Sequence, residues 1–172
     1  MADHLSKLVS SVGKGIVAGL AGTAVMTVFQ KYVEMPLTQR PESFTPAELA
    51  TKVLRVHPKT RQGRRRLNTA AHFAIGGAWG AAYGLAGAVG LRGQKAVHAV
   101  FAVIYGGGTL ASAATGFSRP QEWSAKDWLV DLVDIYVQVQ ATGFVFERLP
   151  PNAERLPGIT QRLPVRTAPA PS

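Results

Sequence analysis

The chain has 172 residues, room for one domain with tails, and joins 47% hydrophobic residues to only 17% charged ones, against the ~25% charged of typical soluble domains. Its lack of cysteine excludes disulfides, thiolate catalysis and Cys-ligated zinc or iron–sulfur centres. A net charge of +9 points to an anionic partner, nucleic acid or lipid, and the placement of the basic residues has to decide between them.

The first apolar segment is "GIVAGLAGTAVMTVF", Gly15 to Phe29, ending at Gln30 and Lys31, and a span over about 15–31 is expected. Lys7, Lys14 and "AGTA" have the layout of a signal peptide, but the apolar run continues past that site, so an uncleaved first helix is expected. In the loop that follows, "FTPAEL" reads as a helix start. Thr45 would be the N-cap, Pro46 the first helical residue, Glu48 the partner in a capping box, and Phe44 and Leu49 a hydrophobic staple. A short amphipathic helix over about 46–56 is predicted, with Leu49, Val53 and Val56 on one face, lying on a membrane surface or against the bundle.

The basic run "KTRQGRRR" contains Arg61, Arg64, Arg65 and Arg66 and directly precedes the next apolar segment. In that position it reads as a juxtamembrane cluster that fixes topology and touches anionic lipid headgroups, with no nucleic acid as partner. Segment two, about 67–91, and segment three, about 96–117, each hold close to 20 residues without Asp, Glu, Lys or Arg, the length expected of a membrane helix. Segment four, about 125–149, is stopped by Pro150 and Pro151. Residues 150–172 repeat Arg-Leu-Pro every seven positions and are rich in proline, so a disordered tail is expected there.

The expected fold is therefore all-α: a polytopic, multi-pass membrane protein in which residues 1–149 form four transmembrane helices packed as a small bundle. The lipid bilayer is its main partner. The loops on the side of the basic run carry more of the lysines and arginines, which puts the long loop in the cytoplasm and both termini outside.

The junction after segment one, Val33-Glu34-Met35-Pro36-Leu37 followed by Arg40-Pro41, together with the Gly-rich first helix, resembles the YagU-like inner-membrane protein family. The resemblance extends to a His- and Gly-bearing second helix, a Gly-rich third and an acidic fourth ending in "ERL"; the long basic loop and the Arg-Leu-Pro tail depart from it. It implies a small polytopic protein of the bacterial inner (plasma) membrane and carries over no catalytic residue.

Three rows of small residues recur at a spacing of four: Gly15, Gly19, Thr23 and Thr27; Gly76, Gly80 and Gly84, with His72 one turn earlier; and Gly108, Ser112 and Gly116. Each row falls on one helix face, the small-xxx-small pattern of close packing, and a tight bundle or homo-oligomer is expected. Glycines beside His72 would let a haem approach, with His98 as second ligand. The two histidines, however, sit near the starts of antiparallel helices, so no cofactor and no metal are expected.

"EWSAKDWLVDLVDIYVQVQ" begins segment four. Ser124 and Asp127 have capping-box spacing, with Trp123 and Trp128 as a staple. Asp131, Asp134 and Gln138 continue one polar stripe into an otherwise apolar helix, and an intramembrane acid must face protein or water. The polar residues to explain are thus Asp131, Asp134, Gln138, His72 and His98. They are expected to hold the helices in register, with proton or cation translocation by an oligomeric bundle as the alternative. No nucleophile with a base and an orienting partner is readable, so the expected role is structural or accessory and not enzymatic.

Overall fold

In the computed structural model, which describes residues 2–114, 116 and 119–150, every regular element is helical. Helix α1 spans Ala2–Phe29; its hydrogen bonding widens to a π-helix over Gln30–Glu34 and returns to α in α2, Met35–Thr38. The Met35 amide donates to the Gln30 carbonyl, the i→i+5 step that defines the π turn. Helix α3 covers Thr45–Leu54, α4 Arg61–Ala88, α5 Gly93–Ala114 and α6 Ala125–Arg148, with a 3₁₀ turn at Pro120–Glu122. The tail expected to be disordered lies, apart from Pro150, outside the described residues, as does Phe117 at the end of the third predicted span.

Three helices are long and apolar enough to cross a membrane: His4–Thr38, Gly93–Ala114 and Ala125–Arg148. This corrects the expectation of four. Helix α4 has the length, but freedom from charge is not apolarity. Its Gly, Ala, Asn, His, Trp and Tyr residues contribute little hydropathy, and its first two turns carry four arginines. The first span also begins earlier than predicted, because Leu5, Leu8 and Val9 extend the apolar surface toward the N-terminus.

The glycine rows of α1 and α4 set the architecture. A Cβ added at Gly19 would lie 2.6 Å from the Gly80 Cα, and one at Gly15 2.8 Å from the Gly84 Cα, so the two backbones touch directly. Gly15 meets Gly80 and Gly84, Gly19 meets Gly76 and Gly80, and Thr23 meets Gly76, which makes the helices antiparallel. Helix α6 lies on another side of α1, with Gly22 against Thr142 and the Gln138 backbone, also antiparallel. Tyr83 and Phe146, ring centroids 5.2 Å apart, fill the core between α4 and α6 with Val97, Val100 and Val139.

Helix α5 joins this unit mainly along α6. Gln94 and Gln140 exchange two amide hydrogen bonds of 3.1 Å, and the Gly93 amide donates to Glu147 at 3.1 Å. Gly90 (φ +93°) and Gly93 (φ +54°) make the tight turn between α4 and α5, in a region that favours glycine. The third small-residue row, by contrast, is not a packing face within this chain: nothing lies within 4 Å of a Cβ placed at Gly108, and Gly116 falls beyond the end of α5.

Two helix starts differ from expectation. Thr45 does not cap α3: Phe44 occupies the N-cap position without a side-chain bond, and Glu48 reaches across to Arg64 at 3.1 Å. The cap comes from α4, where the buried Asn68 accepts from the Ala47 amide (3.1 Å) and donates to the Ser43 carbonyl (2.9 Å). Small Ala47 and Ala50 face α4, whereas Val53 and Val56 are left exposed. The basic run does not precede α4 but forms its first turns, because Thr60 caps the helix by accepting from the Gly63 amide at 3.0 Å.

Candidate functional site

Where α1, α4 and α6 meet, the glycine contacts leave space that only small or polar side chains fill, and a continuous polar seam results. At its centre the fully buried Thr23 hydroxyl donates to the Gly19 carbonyl (2.9 Å) and accepts from the Gln138 amide nitrogen (2.9 Å). Thr142 donates to the Gln138 carbonyl at 2.8 Å. Gly76 is required opposite, because a Cβ there would overlap the Thr23 hydroxyl and stand 3.1 Å from the Gln138 amide nitrogen.

One turn toward the start of α6 lies Asp134, 7% exposed. Gln30, the first residue of the π turn, donates to its Oδ2 at 2.7 Å. Its Oδ1 is buried with no partner among the described residues, as are the Gln138 Oε1 and the His72 Nε2. Gly76 stands opposite Gln138, and α4 and α6 both run antiparallel to α1. His72, one turn before Gly76, is therefore level with Asp134, one turn before Gln138. Three acceptor- or donor-competent atoms thus go unsatisfied within two turns, where an unmet buried polar group costs ~1–3 kcal/mol.

The seam opens toward the start of α6. Glu34, buried on the π turn, accepts from Thr38 at 2.7 Å, and Glu34, Asp131 and Arg40 all lie within electrostatic reach of Asp134. Asp131 is half-buried and makes no ion pair among the described residues. At the mouth, Asp127 pairs with Arg40 at 3.6 Å and completes a capping box with Ser124, its carboxylate accepting from the Ser124 amide at 3.0 Å. Trp123 and Trp128 pack beside it, ring centroids 4.9 Å apart.

His98 does not join this group. It is exposed on α5, within 3.3 Å of the Tyr136 hydroxyl and stacked on that ring, against the opposite face of α6. His72 and His98 therefore serve different interfaces, and no cluster of three or more His, Asp or Glu able to hold a metal occurs among the described residues. Gln30 and Glu34 were missed in the sequence because Gln30 reads as the polar end of an apolar segment. Their inward direction depends on the π turn, for which the residues carry no signal. Of the four arginines, Arg64 is turned to Glu48 and the Phe44 ring, and Arg65 to Glu42.

No family model matches the chain, and no curated protein or solved structure matches it significantly. The functional reading rests on the seam itself.

Proposed function

We propose that the protein is integral to a membrane and that its α1–α4–α6 seam takes up a proton or a small cation at Asp134. The observation that carries this reading is the buried carboxylate with one oxygen bound to Gln30 and the other to nothing. A carboxylate removed from water and given no cationic partner is completed by a proton or a cation, and intramembrane acids of this kind mark ion or proton pathways. Asp127, Asp131 and Asp134 then form a ladder from the mouth inward, and His72 and Gln138 carry the free polar atoms further along it. Exposed Leu, Val and Phe side chains on α1, α5 and α6, such as Val17, Val25, Val103, Leu110, Leu129 and Phe144, supply the lipid-facing surface. The compartment proposed is the bacterial inner membrane, on the YagU-like resemblance of the Val33–Leu37 junction. A second copy of the chain is proposed against the open glycine face of α5.

The test is flux in vesicles. The purified protein is reconstituted with a trapped pH dye, and a proton or sodium gradient is imposed. Asp134→Asn is expected to abolish the flux and Asp131→Asn to slow it. Flux that survives both substitutions sinks the pathway.

A structural or accessory role is the second reading, favoured by the Gln138–Thr23 bond, which locks α6 to α1 whether or not anything passes. It gains if correctly folded wild-type protein shows no flux and Asp134→Asn lowers only assembly.

A further inference from the structure

We infer that the outer face of α4 is a binding site for one anionic phospholipid, its phosphate at Arg65 and Arg66 and an acyl chain along a trough between α4 and α1. The inference rests on the membrane reading above and adds to it a specific lipid and a site. Two grooves on this face share Phe73. The first, about 530 Å³, is lined by Gln62, Arg65, Arg66, Thr69, Ala70 and Phe73. The second, about 370 Å³, continues from Phe73 past Ala74, Gly77, Ala78 and Ala81, with Ile16 and Leu20 of α1 as its wall. Polar and cationic groups are thus confined to one end, and the remainder is apolar.

The residues repeat every three or four positions, so they form one stripe along α4. Its middle is made of Ala and Gly, which hollows the trough. A Cβ added at Gly77 would find Leu20 Cδ2 at 3.6 Å and Ile16 Cγ2 at 3.7 Å, ordinary contact, so the trough has room beyond it. From Arg66 to Ala81 the helix rises about 22 Å. One leaflet with its headgroup region is about 20–22 Å thick, so a lipid with its phosphate at Arg66 ends near Ala81.

Charge selects the occupant. Arg65 meets Glu42 at 3.5 Å in an exposed pair, and Arg66 has no ion-pair partner among the described residues, so the polar end carries uncancelled positive charge. Arginine offers a planar fork suited to phosphate oxygens. A second copy of the chain is a poor occupant, because two parallel copies joined here would bring Arg65 and Arg66 against their own counterparts. A zwitterionic lipid would fill the trough without gaining the charge.

The experiment titrates the full-length protein, in non-ionic detergent, with palmitoyl-oleoyl phosphatidylglycerol, with the matching phosphatidylcholine, or with inorganic phosphate, and follows retained lipid by native mass spectrometry. The expected result is tenfold or greater preference for phosphatidylglycerol over phosphatidylcholine and no competition by phosphate alone. Arg65→Gln with Arg66→Gln should weaken phosphatidylglycerol about 30-fold. Gly77→Leu, which fills the trough and leaves the arginines, should weaken both lipids. Equal retention of the two lipids, competition by free phosphate, or a preference untouched by both variants overturns the site. Carbonate extraction separates this failure from that of the membrane reading: protein released into the supernatant sinks the membrane reading, whereas protein that stays and binds both lipids equally sinks only the site.

Discussion

Replacing Gly80 with alanine adds one methyl group where there is no side chain to move aside. The new Cβ would stand 2.7 Å from the Gly19 Cα and 2.8 Å from the Gly19 nitrogen, and would overlap the Gly15 carbonyl oxygen. Ordinary carbon contacts lie at ~3.5–4.0 Å, so α1 and α4 must part by about 1 Å, and neighbouring glycines of both rows lose contact with them. Overpacking of this kind costs ~1–3 kcal/mol, while alanine recovers up to ~1 kcal/mol of helix propensity over glycine. Gly77→Ala is the matched control, on the same helix with the same propensity gain but with its Cβ at ordinary distances from Leu20 and Ile16. Propensity cancels between the two variants, so Gly80→Ala should be less stable than Gly77→Ala by about 1–3 kcal/mol. Reversible unfolding in mixed detergent micelles, followed by far-ultraviolet circular dichroism, measures the difference. If the two variants agree within ~0.5 kcal/mol, the typical scatter of a harmless surface substitution, the α1–α4 backbone contact is not what holds this fold.

Thr23→Val removes the hydroxyl that accepts from Gln138 and leaves that amide buried; a loss of ~1–2 kcal/mol is expected in the same micelle assay, and adding Gln138→Leu should recover part of it. Asn68→Ala strips α3 of its cap, so the Ala47 amide should lose hydrogen-exchange protection and the Ser43–Glu48 region should become cleavable, with α4 and α6 unaffected.

How much of this was legible depended on whether a residue's partner is near in sequence. Ser124 and Asp127 are three apart and declare their capping box locally. The rows at Gly15 and Gly19 and at Gly76, Gly80 and Gly84 announce a face by spacing alone, though not which row meets which. The same spacing misleads at Gly108, whose face meets nothing in this chain, because periodicity reports a surface and not its occupant. Asn68 could not be read as the cap of α3: the bond to Ala47 crosses 21 positions, and the local Thr45–Glu48 pattern competes for the same role. Counting charges made α4 look like a fourth span, whereas its small and amphipathic residues suit it to packing against α1 rather than to facing lipid all round.

The π turn at Gln30–Glu34 makes the chain sensitive to counting. Such a turn holds one residue more than the α-helix it interrupts, so it acts as a phase shift between α1 and everything that follows. Excising any one of Lys31, Tyr32 or Val33, all exposed, would let the helix close up and rotate Glu34, Thr38 and Arg40 by about 100° relative to Gln30. Gln30 would still reach Asp134, but the acid and the cation at the mouth would turn elsewhere. At these three positions, identity is nearly free and number is not.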